Sequence, residues 1–374
     1  MITIRPGSRI RARSRPGDSG ATALARRGDR RSALLTGVLC GALVALLVAS
    51  LAVGTVTVAP LDAVKLVLGH LVPNARWMSD GTYTLLQDQV VWQFRLPRAL
   101  LAAVAGAGLA LAGALVQAVV HNPLAEPYIL GVSAGAGVGA VSVIAAGIGA
   151  GALLLGGAAF AGALVATAAV YLLARRGGRL APTRLILAGV ALGALLSAVT
   201  SYLTLTTDAQ NVFSVMFFLL GSVSAATMGH LVLPAIALAV VVGWIAVSTR
   251  SLDALLVGDE QATALGVDPA RVRVVALVLA ALLTGAVVAV CGGIGFVGLV
   301  IPHIARIVVG SSHRRMVPVC VAGGAVFLAA ADLVARTAAS PTEVPIGIVT
   351  AVVGAPFFLW LLRRDDATRA GVER

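Results

Sequence analysis

Apolar residues in this chain do not alternate with polar ones; they come in long blocks. Residues 32–61, 99–125, 127–174, 185–207 and 209–249 contain no Asp, Glu, Lys or Arg. A helix needs roughly 20 apolar residues to cross a bilayer. The block 127–174 would run more than ~70 Å as one helix, far beyond a hydrocarbon core of ~30 Å. The Gly147–Gly151 stretch is the natural break within it. The pattern predicts ten spans, at about 33–53, 99–125, two within 127–174, 185–207, 231–248, 272–290, 294–310, 317–335 and 344–362. An outer loop or interfacial helix fills 208–230.

Composition agrees. The chain is 59% hydrophobic and 12% charged, against about 25% charged in soluble domains, and its mean hydropathy is +0.98. Short alternating segments, the mark of a membrane β-barrel, are not the pattern here. With 42 glycines and only 5% aromatics, the helices are suited to close backbone packing in lipid. The fold class expected is an all-α polytopic membrane protein.

The net charge of +12 comes almost entirely from arginine, Lys65 being the one lysine. In a soluble chain this would suggest nucleic acid. Here the charges lie between apolar blocks and read as topology signals, so no nucleic-acid partner is expected. Of 28 basic residues, 22 fall in the N-terminal tail, in alternate loops and at the C-terminus. The positive-inside rule then places both termini in the cytoplasm. Residues 1–31 read as a disordered Arg-rich tail, 32–364 as the membrane domain and 365–374 as a second tail. Arg26-Arg27 before an apolar run has the look of a twin-arginine signal, but continuation into ten spans favours an uncleaved first helix.

Several chemistries are excluded. A phosphate-binding loop needs a glycine-rich turn ending in lysine, and Lys65 follows no such turn. Ion-coupled carriers usually keep a carboxylate or a broken helix at mid-membrane, and the predicted centres of spans 1–8 and 10 contain no Asp or Glu. Asp332, in span 9, is four residues before Arg336, a spacing that suits a local ion pair. Cys40, Cys291 and Cys320 sit in apolar runs and the five histidines are scattered; no metal or cofactor site is expected.

Six stretches in order carry a resemblance. They are Trp92–Arg98; Gln117 with Asn122–Pro127 and Leu130–Gly137; Leu187–Gly193; Gly258–Gly266; Gly292–Arg306; and Ala331–Arg336 with Glu343–Thr350 and Gly354–Phe358. Together these resemble the FecCD-type iron–siderophore and cobalamin permeases of ABC importers, from about residue 33 to 364. The resemblance implies a type II importer permease fold of ten helices. It also implies a second permease copy or paralogue, a cytoplasmic ABC ATPase dimer and an extracytoplasmic substrate-binding protein.

It further assigns roles. The internal loop 249–271 matches the coupling element that docks on the ATPase, through Gly258, Asp259, Glu260, Ala262, Leu265 and Gly266; the family usually has Glu where Asp259 stands. Arg95, Arg98 and Arg336 occupy positions where the family's arginines meet acidic residues of the binding protein, with membrane-interface anchoring as the alternative. Asn122-Pro123 ends span 2 in a tight turn. Asn122 and Leu124, with Thr183 in the next internal loop, could form a cytoplasmic gate; a purely structural turn is the alternative. Gly131, Gly135 and Gly139 are spaced to line one packing face of span 3. Ferric siderophore is the expected cargo, with cobalamin or haem as alternatives and a secondary carrier more distant. Spans 5 and 10 are expected along the path, at the axis between two copies.

Overall fold

The computed structural model describes residues 18–147, 152–176, 179–340 and 342–372. Among these residues the helices are α1 (Asp18–Ala52), α2 (Pro60–Leu71), α3 (Leu85–Gln89), α4 (Leu96–Val120), α5 (Val132–Ala145), α6 (Ala152–Ala174) and α7 (Pro182–Leu205). They continue with α8 (Ala209–Leu220), α9 (Met228–Leu255), α10 (Asp259–Ala264), α11 (Pro269–Cys291), α12 (Val297–Val309), α13 (His313–Thr337) and α14 (Ile346–Val372). A wider π-helical turn, Val90–Arg95, joins α3 to α4. A two-residue antiparallel ladder pairs Arg175 with Leu180 and Arg176 with Arg179.

Each predicted span has a helix, and the expected outer segment 208–230 contains the short helix α8. Lengths differ. Seven segments among the described residues are long and apolar enough to cross a bilayer: Arg27–Ala52, Leu85–Val120, Leu153–Ala174, Pro182–Leu205, Met228–Leu255, Pro269–Cys291 and His313–Thr337. By contrast α5 and α12, at 14 and 13 residues, reach only ~20 Å. The buried 3-10 turn Pro127–Leu130 leads into α5, and the non-helical Gly292–Phe296 leads into α12.

The tails also differ from expectation. Residues 1–17 lie outside the described residues, but helix α1 already begins at Asp18. Its early part is held against α13: Arg315 Nε donates to Asp29 at 2.7 Å, and Ser32 Oγ donates to the Arg315 carbonyl at 2.7 Å. At the other end α14 continues to Val372, so most of the expected C-terminal tail is helical.

Helix α4 is the centre, buried along nearly its whole length. Lipid gives no hydrophobic drive between helices, so small residues and close backbones must supply the packing. Gly106 of α4 faces Gly324 of α13, and Gly113 faces Gly298 of α12, each so close that a Cβ would overlap the opposite backbone carbonyl. Gly135 and Gly139 of α5 meet Gly162 and Ala158 of α6 in the same way. Gly131 also lies against α6, at Ala166 and Val170, in looser contact, and with φ of 73° it closes the turn before α5. On the outer surface, Leu187, Val190 and Leu195 of α7 are 60–64% exposed and Val247 of α9 is 84% exposed, as suits faces turned to lipid or another copy.

Candidate functional site

The short helices lead to a junction deep in the bundle. At the end of α4, His121 adopts φ of 54° and its Nε2 lies 2.7 Å from the Leu255 carbonyl. The Asn122 side chain then accepts from Leu124 N–H at 2.9 Å, and Ala125 N–H bonds the Asn122 carbonyl at 3.1 Å. This is the tight turn the sequence predicts. Beyond it the chain re-enters the bundle rather than staying at the surface. Pro127 packs on Gly298, which itself faces Gly113, about 10 Å along α4 from its end.

Backbone groups at that depth must be satisfied by protein. The α11–α12 connection, Gly292–Phe296, is not helical. Gly293 N–H donates to the Phe218 carbonyl at 3.3 Å, Ile294 N–H to the Tyr128 hydroxyl at 2.6 Å, and Phe296 N–H to Glu126 Oε1 at 2.6 Å. Ser222 N–H reaches the Cys291 carbonyl and Ile346 N–H the Gly221 carbonyl, at 2.7 and 3.1 Å. Four chain breaks, after α4, α8, α11 and before α14, thus satisfy one another. Pro302 in α12 cannot donate to the Gly298 carbonyl, its i−4 partner; buried Gln117 supplies the bond from Nε2 at 3.3 Å, while Arg306 donates to Gln117 Oε1 at 3.1 Å.

Glu126 corrects one sequence expectation. The chain does bring a carboxylate to the depth of the spans, from a turn rather than from a helix. Its bond to the first turn of α12 gives it a structural use. The junction faces a shallow apolar groove of ≈ 340 Å³ lined by Leu219, Leu220, Phe296, Gly347, Ile348 and Val352 among others. Helices α14 and α8 both line this groove.

At the α10 end of the bundle, the loop contains a six-residue helix bounded by two glycines with positive φ, Gly258 (117°) and Gly266 (79°). Gly266 N–H bonds the Thr263 carbonyl at 2.9 Å and Val267 N–H the Ala262 carbonyl at 3.0 Å, the paired bonds of a Schellman cap. Ala262 is buried, while Leu265 and Val257 are 71% and 64% exposed. Asp259 is held within the chain by Arg273, with a paired contact at 2.7 and 2.6 Å. That leaves exposed Glu260, Leu265 and Val257 to face outward; Val257, outside the matched motif, is legible only from its exposure. Thr183 is exposed in the first turn of α7, and among the described residues no hydrogen bond links it to the Asn122–Leu124 turn.

At the opposite end the three arginines gather around one cavity of ≈ 470 Å³, but their guanidiniums are engaged within the chain. Arg95, 6% exposed, donates to the carbonyls of Leu51 (2.7 Å), Ala52 (3.0 Å) and Val56 (2.6 Å). Arg336 donates to the Ser50 carbonyl and hydroxyl, both at 2.7 Å. With Val53 N–H on the Ala49 carbonyl at 2.9 Å, all four last carbonyls of α1 have donors, and two cations sit at its negative dipole end. Asp332 does not pair with Arg336 as its spacing suggests. It accepts from Arg98 Nε at 2.9 Å, and Arg98 Nη1 contacts both oxygens of Glu343 at 2.7 and 2.9 Å. The cluster ties α1, α4 and α13 together.

A central helix wrapped by spans, broken elements meeting at depth and a short glycine-bounded helix at one end describe a transport subunit. Comparison with known proteins defines the class. The model of the FecCD transport family matches residues 42–364. The chain is 43% identical over 288 residues to the cobalamin import system permease protein BtuC of Halobacterium salinarum, covering 75% of each. It is 40% identical over 299 residues to the vitamin B12 import system permease protein BtuC of Vibrio cholerae, covering 79% of this chain and 89% of that one. A solved metal-chelate type ABC transporter in an inward-facing conformation superposes with a TM-score of 0.76 at 32% identity, covering 88% of this chain and 99% of the other.

The protein is the membrane-spanning permease subunit of an ABC importer, a multi-pass inner-membrane protein whose ATP is hydrolysed by separate ATPase partners. It belongs to the FecCD transport family, which implies a substrate-binding partner and a second permease copy.

Proposed function

We propose that this permease imports cobalamin. The observation that carries the reading is the similarity, at 40–43% identity over three quarters of the chain or more, to permeases named for cobalamin or vitamin B12. These names favour cobalamin over the ferric siderophore expected as the commonest cargo of the family the chain resembles. The apolar groove beside the junction suits a bulky chelate handed over by a binding protein, with little dedicated side-chain recognition.

The basic-residue bias sets the orientation in this reading. The α10 end faces the cytoplasm and meets the ATPase through Glu260, Leu265 and Val257, with Gly258, Ala262, Gly266 and the Asp259–Arg273 pair fixing the shape of that element. The cavity end receives the binding protein. There exposed Glu343, held by Arg98, meets a partner's charges, while Arg95 and Arg336 act by holding the end of α1. Asn122 and Leu124 close the path at the cytoplasmic end, with Thr183 beside the next loop.

The test is growth of a host lacking its own cobalamin and siderophore permeases, expressing this chain with its ATPase and binding protein. Growth is expected on limiting cobalamin and not on limiting ferric siderophore. Rescue by siderophore alone would return the cargo to iron.

A further inference from the structure

Between the last three turns of α9 and the first turns of α13 lies a groove of ≈ 780 Å³ that the transport reading does not use. On α9 it runs from Val242 to Asp253, about 16 Å at helical rise. One stretch is apolar: Val242 and Val247 are 36% and 84% exposed, opposite Val317 and Pro318. The other end carries Arg250 and Arg314, both exposed. Among the described residues neither makes a hydrogen bond or ion pair, whereas neighbouring Arg315 is paired with Asp29.

A carboxylate also lines the groove, but it is occupied. Asp253 accepts from Ser312 Oγ (3.0 Å) and from His313 N–H (2.8 Å), and faces His313 Nδ1 at 2.6 Å. His313 is 1% exposed and its Nε2 has no partner.

We propose that this groove binds one anionic phospholipid. The phosphate sits between Arg250 and Arg314, and an acyl chain lies along Val242 and Val247. Charge selects this occupant. A second copy of so basic a chain brings more arginine to two unpaired arginines, while an inner-membrane lipid brings the missing negative charge together with the apolar tail. The inference depends on membrane insertion and not on the cargo.

The probe is phosphatidylglycerol against phosphatidylcholine, added to the delipidated full chain and read by native mass spectrometry, for wild type and R250Q/R314Q. Two basic residues near the headgroup favour the anionic lipid by about thirtyfold. The wild type should show that preference, and the double variant should retain both lipids alike while eluting as the wild type does. Equal retention of the two lipids by the wild type overturns the proposal. So does an undiminished preference in the variant. If the variant instead loses its ATPase partner with lipid preference unchanged, the groove is a protein interface and the proposal fails.

Discussion

Gly113→Leu is expected to abolish folded protein in the membrane. A Cβ at this position would overlap the Gly298 carbonyl, and the neighbouring atoms are backbone, which cannot move aside as a flexible side chain can. The contact also sits where α4, α12 and the re-entering Pro127 meet, so separating it disturbs the junction and the Gln117 bond to the same carbonyl. Overpacking a core costs about 1–3 kcal/mol and more when backbone must shift; the backbone case applies here. Gly41→Leu is the matched control, because nothing lies within 4 Å of a Cβ there. Size-exclusion profiles in detergent should show loss of the monodisperse species for Gly113→Leu only. Equal behaviour of the two variants would mean that α4 and α12 are not packed backbone to backbone.

Gly266→Val should sever transport from ATP hydrolysis while leaving the membrane domain folded. Space is not the issue, since nothing lies within 4 Å of a Cβ at this position. The cost is conformational: φ is 79°, a region that costs an L-residue roughly 1–2 kcal/mol and suits a β-branched one least. Relief of that strain rotates the turn and breaks the Schellman bonds that aim α10 and its exposed Leu265. Asn tolerates the left-handed region, so Gly266→Asn should retain most coupling. The comparison reads ATPase co-purification and ATP-driven uptake, with about a tenfold loss for Val. Full activity of the valine variant would remove α10 as the coupling element.

Much of this architecture is legible in the amino-acid order because lipid makes apolar content itself the signal. The charge-free blocks become helices, the Asn122-Pro123 turn forms, and the Gly258–Gly266 element stands between two glycines of positive φ as its spacing suggests. What escapes the sequence depends on contacts between distant elements. Nothing local to Glu126 or Tyr128 says that their turn re-enters the bundle; that follows from Gly113 and Gly298 meeting across 185 positions of chain. Gly292–Phe296 looks like a loop at the membrane surface because the acceptors for Gly293, Ile294 and Phe296 N–H are distant in the chain: Phe218, Tyr128 and Glu126. The arginines at the cavity are read as outward-facing because the open carbonyls at the end of α1, which attract Arg95 and Arg336, are invisible in a list of residues.

The most direct measurement is uptake of labelled cobalamin by proteoliposomes containing the purified chain, with its binding protein added on one side and its ATPase and ATP on the other. The account predicts accumulation only when permease, ATPase, ATP and binding protein are all present, and no hydrolysis of ATP by the permease alone. Cobalamin accumulation driven by an ion gradient without the ATPase would contradict it.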